Sequence, residues 1–94
     1  MKFKVKPLIF KAEDDDGDIS WVARGIDAEY KIWFNEEKKK FKSIVVSDWD
    51  SHTFFGYFDT IEEAKKSANE DHAKEVNRRI NSLVNFIAKY AESE

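Results

Sequence analysis

The stretch "GYFDTIEEAKKSANEDHAKEVNRRI", residues 56–80, decides the fold. Its first residues close a run of aromatics, and the spacing then changes. Asp59 and Thr60 offer an N-cap, and Thr60 followed three residues later by Glu63 fits a capping box. Glu62 and Glu63 fall in the first turn, where the helix dipole favours negative charge. Ile61, Ala64, Ala68, Val76, Ile80, Leu83, Ile87 and Tyr90 follow at helical spacing and predict one long helix over 60–91. Small side chains at Ala64 and Ala68 would let that helix lie close to a sheet. Its apolar stripe is expected to cover one sheet face while its charges meet water.

Everything N-terminal to this stretch, 1–58, reads as the sheet. "FKVKPLIFKA" (3–12) alternates, with Leu8, Phe10 and Ala12 on one face, and Pro7 marks an edge position or an irregular start. "EDDDGD" (13–18) predicts a turn. "ISWVAR" (19–24) places Ile19, Trp21 and Ala23 on one face, and "GID" (25–27) reverses the chain. "AEYKIWF" (28–34) puts Ala28, Tyr30, Ile32 and Phe34 on one face at period two. "NEEKKK" (35–40) is a polar hairpin tip, and "FKSIVVS" (41–47) is rich in β-branched residues. "DWDSH" (48–52) is a loop or a strand continuation before the last short strand, "TFFGYF" (53–58). Each joint is short enough for a hairpin, so the reading is an antiparallel meander of four or five strands. With the C-terminal helix on one face, the class is α+β in a single domain. Leu8, Phe10, Trp21, Tyr30, Ile32, Phe58, Ile61, Ala64 and Ala68 form the expected core.

Composition narrows the functions open to the chain. Ninety-four residues build one core, and aromatics at 15% supply it from few side chains. The absence of cysteine removes disulfides, thiolate metal sites and thiol nucleophiles, and suits a cytoplasmic address. No apolar run has the length of a membrane span or a signal-peptide core. A net charge of -3 lacks the basic balance that phosphate binding usually shows.

Motifs of catalysis are thin. Asp48, Asp50 and His52 alternate, so an extended segment would set two carboxylates and an imidazole on one face. A polar loop flanking Trp49 accounts for them better. His72 lies mid-helix with no second His four residues away, so the zinc-helix motif is missing. In "EDDDGD" a calcium loop counted from Asp14 would put Ile19 where Gly is needed and Gly25 where Glu is needed. There is neither a glycine-rich phosphate loop nor a nucleophile elbow. The reading is therefore a non-enzyme with no cofactor and no metal.

"KPLIF", the Trp-Val-Ala of 21–23, the Tyr-Lys-Ile of 30–32, "GYFDTIEEAKKSANED" (56–71) and the Arg-Arg-Ile of 78–80 occur in an order that resembles a family of small proteins encoded in phage and prophage genomes of bacteria. The resemblance spans residues 6 to 80. Phe10 stands where that family usually has Trp, and Glu29 where a Gly often precedes the Tyr. It implies a bacterial or phage context and a cytoplasmic address. It brings no catalytic residues with it.

Two surfaces remain for interaction. Phe3, Trp33, Phe55 and Tyr57 fall on the strand face opposite the expected core, and Trp49 lies beside them in the loop. One helix covers one face, so Trp33, Trp49, Phe55 and Tyr57 are the expected surface for a protein partner. The alternative is nucleic acid, stacked on Trp33 or Trp49 beside Lys38, Lys39 and Lys40, against which the acidic balance argues. A second alternative is an acidic inhibitor of a host nucleic-acid enzyme, with Asp14 to Asp18 and the helix acids imitating DNA charge. At the far end, a helix from Thr60 to Ala91 would run roughly 48 Å against strands of about 20 Å. The overhang, "NSLVNFIAKYAE", carries Leu83, Val84, Phe86, Ile87 and Tyr90. Either the helix breaks near Asn81 and folds back, or the overhang packs on a second copy. No Gly or Pro marks a break, so a two-fold homodimer through the C-terminal helix is expected.

Overall fold

The computed structural model describes residues 4–48 and 51–90. The expectations placed on Phe3, Trp49 and Asp50 lie outside the described residues. Five strands, β1 (Lys11–Asp15), β2 (Asp18–Gly25), β3 (Ala28–Asn35), β4 (Lys40–Ser47) and β5 (His52–Phe58), precede one helix, α1 (Ile61–Tyr90). The strands pair antiparallel in the order β1-β2-β3-β4-β5, a plain meander.

Turn chemistry sets the register. Asp16 and Gly17 both take left-handed backbone, at φ 52° and 91°. That is the geometry a two-residue hairpin needs for strand twist, and Asp and Gly reach it at least cost. The Asp14 carboxylate accepts the Gly17 N–H at 2.9 Å and closes the turn. At the β3–β4 tip the Asn35 amide oxygen accepts the Lys38 N–H at 2.9 Å, and Lys39 supplies the left-handed residue at φ 55°.

The first strand differs from its expected place. Pairing runs right up to the Asp16-Gly17 turn, with Lys11 opposite Val22 and Asp15 opposite Asp18. The expected turn over 13–18 is thus mostly ladder, and the expected strand over 3–12 is mostly not. Pro7 has no N–H to give a ladder. The N–H of Leu8 leaves the sheet and donates to the Asn69 side chain on α1 at 2.7 Å. Leu8 is buried by that detour, at 9% exposure.

The helix begins as the spacing predicts. The Thr60 hydroxyl accepts the Glu63 N–H at 3.2 Å, with Glu62 and Glu63 in the first turn. Ala64 and Ala68 are fully enclosed against the sheet. Beneath them, Ala23, Ala28, Tyr30, Ile32 and Ser43 are the buried members of the covered face. Phe10, Trp21, Phe58 and Ile61 were expected in the core and are only half-buried. The ring edge of Trp21 meets Phe41 at 6.0 Å, and Phe41 meets Phe34 at 5.3 Å, in an aromatic border to the core.

One strand position overturns the expected alternation. In the β4–β5 ladder Ser43 opposes Gly56 but Ile44 opposes Phe54, so Phe55 is the extra residue of a bulge. Gly56 permits it at φ 127°, a backbone region that side chains rarely enter. Phe55 therefore turns under the helix and stacks on Tyr30, with ring centroids 6.3 Å apart and planes at 11°. It does not lie on the open face with Tyr57. Phe54 takes that place, edge-on to Tyr57 at 5.2 Å.

Two outcomes follow for chemical denaturation. Phe55→Ala should cost about 3 kcal/mol, the low end for a core phenylalanine. Phe54→Ala should stay within about 0.5 kcal/mol of the parent, as exposed substitutions do. The reverse ranking would mean that the bulge does not re-aim these rings. Gly25→Ala is the second test. An added Cβ there would sit 2.7 Å from Tyr30 Cε2 and 2.9 Å from His72 Cδ2. The expected loss is about 1–3 kcal/mol, as for other overpacked sites. An unchanged midpoint would show that helix and hairpin are not held this closely.

Candidate interaction surfaces

The position of the C-terminal helix end follows from a polar latch. The turn joining β2 and β3, with Asp27 at φ 52°, lies under the middle of α1. The Tyr30 hydroxyl donates to Asp71 at 2.7 Å. The Ile26 N–H donates to His72 Nε2 at 3.2 Å, and the edge of that imidazole meets the Tyr30 ring at 5.9 Å. Two turns on, the Arg79 guanidinium donates to Asp27 and also, at 3.0 Å, to Glu75. Arg78 adds a bidentate grip on Glu75 at 2.5 and 3.1 Å. Each of these exposed ion pairs contributes little on its own. Their combined effect is directional, since they aim α1 past the hairpin.

The latch lowers or raises three titrations. The hydrogen bond from Arg78 first, then that from Arg79, holds Glu75 down to about 2. Burial, reinforced by the bond to Asp71, pushes the Tyr30 phenol up. Burial pushes His72 below its ordinary 6.5, against the opposing pull of Asp71. Since His72 Nε2 accepts a hydrogen bond, the neutral ring carries its proton on Nδ1, which has no partner among the described residues.

Beyond the latch, α1 leaves the sheet. It is continuous through Tyr90, so the expected alternative of a break near Asn81 does not occur. Thirty residues run about 45 Å, against about 27 Å for an eight-residue strand. The molecule measures 58 × 23 × 19 Å, with a radius of gyration of 16.3 Å. A compact chain of this length would have about 12 Å. On the overhang, Leu83 is 59% exposed, Val84 41%, Phe86 62%, Ile87 51% and Tyr90 70%.

These residues do not continue the stripe that covers the sheet. After Ala64 and Ala68 the positions on that line are Asp71, His72, Glu75 and Arg79, the residues of the latch. Apolar residues resume at Val76 and run through Ile80, Leu83, Ile87 and Tyr90. At about 100° per residue, this second stripe is centred about 90° around the helix from the first. The single stripe expected from the sequence is two. The signal was there in the polar residues Asp71, His72 and Glu75, which fall on the line of Ala64 and Ala68 before Val76.

The open face of the sheet is the other candidate. Trp33, Lys42, Phe54 and Tyr57 meet there. The Lys42 ammonium lies 5.3 Å from the Trp33 ring centre and 5.5 Å from that of Phe54. Trp33 is half-buried, Tyr57 is 37% exposed and Phe54 52%. Long polar side chains cover much of the remainder. Arg24 pairs with Asp48 at 2.6 Å, which engages one of the two carboxylates that alternate with His52. Lys39 pairs with Glu36 at 3.3 Å and Lys40 with Asp59 at 3.0 Å, so these hairpin lysines are already matched by acids. Among the described residues no group of three His, Cys, Asp or Glu side chains is placed to hold a metal ion. No helix among them is long and apolar enough to cross a membrane. Comparison with family models, curated proteins and solved structures finds no match.

The latch generates a pH dependence with a definite sign. Just below 6.5, His72 stays neutral in the fold where it is protonated in the unfolded chain, because burial disfavours the charged ring. Its contribution to stability is complete above 6.5 and is lost as pH falls from there through the lower folded value. The contribution of Glu75 is lost only in a more acidic window, between 4.5 and about 2. Denaturant midpoints should therefore fall between about pH 7 and pH 5, and His72→Gln should flatten that slope. An equal slope in the variant would separate His72 from the effect.

Proposed function

We propose that this chain is a small non-catalytic protein-interaction module that pairs with a second copy of itself through the overhanging end of α1. One observation carries the reading. A helix that runs unbroken past the latch presents Leu83, Val84, Phe86, Ile87 and Tyr90 to solvent. Exposed apolar patches of this kind mark interaction sites. The sheet then serves as the platform that holds the helix and keeps its tip clear. The open-face cluster around Trp33, Phe54 and Tyr57 is a second, smaller surface for a protein partner. The resemblance to phage and prophage proteins suggests a bacterial cytoplasm as the setting.

Light scattering on the full chain at micromolar concentration should give twice the monomer mass. Leu83→Glu combined with Ile87→Glu, both at positions more than half exposed, should return it to the monomer with the helix signal of the parent and a denaturant midpoint that no longer depends on protein concentration. A parent that is monomeric throughout this range would overturn the reading. So would a doubly substituted chain that keeps the parent's mass.

A further inference from the structure

The second stripe has a spacing more specific than "apolar". Val76, Ile80, Leu83, Ile87 and Tyr90 are separated by four, three, four and three residues. This is the a/d alternation of a two-helix seam, with Ile80 and Ile87 at a and Val76, Leu83 and Tyr90 at d. The outer positions agree. Lys74, Glu75, Arg78, Asn81, Ser82, Asn85 and Lys89 occupy b, c and f and are polar, and Ala88 at b is the small exception. Val84 and Phe86 fall at e and g and widen the seam without bringing charge into it. Within parallel coiled coils, isoleucine at a, as at 80 and 87, with leucine at d, as at 83, favours two strands over three or four.

The fold leaves this seam open. The residues of α1 enclosed against the sheet or bonded to it and its β2–β3 turn, Ala64, Ala68, Asp71, His72 and Arg79, lie on c, f and g, so the a/d line emerges beside the sheet rather than beneath it. Identical helices side by side in register set each seam residue against its own copy. No seam residue is charged, so this pairing brings no like charges together. A second copy therefore covers the stripe with the same spacing that the stripe presents.

Resting on the self-pairing above, we infer that the two copies join as a parallel, in-register pair of α1 helices over 76–90, with both sheets at the same end. The chain has no cysteine, so single cysteines report the geometry directly. Leu83→Cys and Tyr90→Cys place a thiol at successive d positions, and Asn85→Cys places one on the outer face. All three sites are outside the sheet contact. Under mild oxidation the parallel pair should link through both Leu83→Cys and Tyr90→Cys. The rates should be on the order of a hundredfold above that of Asn85→Cys, because the paired thiols meet at millimolar effective concentration. An antiparallel pair overlapping on the same residues would link through Leu83→Cys alone, since its two Tyr90 positions lie about 21 Å apart along the axis. That result overturns the parallel geometry and leaves the self-pairing standing. Equal slow linking of all three variants, with a monomer mass for the parent, removes both.

Discussion

The hydroxyl of Tyr30 donates to Asp71 across the boundary between sheet and helix, and the other contacts of the fold converge on the same ring. Phe55 stacks on one side of it, His72 meets it edge-on, and Gly25 must stay bare to leave it room. A hydrogen bond to a charged acceptor contributes about 1.5–3 kcal/mol, and leaving either partner buried without the other costs as much again. Around it the small side chains of Ala64 and Ala68 bring the helix backbone down onto the strands. The bulge at Gly56 and the detour of Leu8 toward Asn69 both serve this junction. Each gives up regular sheet pairing to place a side chain or an N–H against α1.

The general architecture was legible because its signals are local. Alternation at Tyr30 and Ile32, the Asp-Gly turn and the Thr60–Glu63 cap each act within a few residues, and each appears where the pattern puts it. What alternation could not show is the consequence of a single inserted residue. Gly56 within an aromatic strand was the available warning of a bulge, and one slip exchanges the faces of Phe54 and Phe55. The length of β1 was misjudged for a related reason. Pro7 weakened the early ladder visibly, but the acceptor that draws Leu8 away, Asn69, lies far along the chain. Of the surfaces, Trp33 and Tyr57 keep their expected face, and the overhang residues are exposed as their position past the sheet implies. The latch was not legible, since nothing in the sequence pairs His72 with Ile26 or Arg79 with Asp27.

The polar latch and the second stripe explain each other. Where α1 crosses the β2–β3 turn, the surface beneath it offers a bare backbone N–H and an aspartate rather than apolar strand. Histidine, glutamate and arginine suit that surface, and aliphatic side chains would find nothing to cover. The apolar residues that resume at Val76 lie off the line of Ala64 and Ala68, and from Leu83 onward they are exposed. Their rotation by about 90° is what a helix requires to meet a neighbour beside the sheet rather than the sheet itself.

The sheet edges point the same way. An exposed edge strand invites pairing by strand addition, and proteins blunt it with charges and bulges. β1 carries Lys11, Glu13 and Asp14 along its edge, and β5 carries the Gly56 bulge. Both routes to association through backbone hydrogen bonds are thus discouraged. The helix tip differs, because its backbone is satisfied internally and only its side chains are unmatched. Large apolar side chains left exposed there, beside edges so guarded, make side-chain packing between helices, rather than strand addition, the route that the proposed self-pairing would take. Such packing is reversible, closes on itself in a pair and does not propagate as stacked strands do.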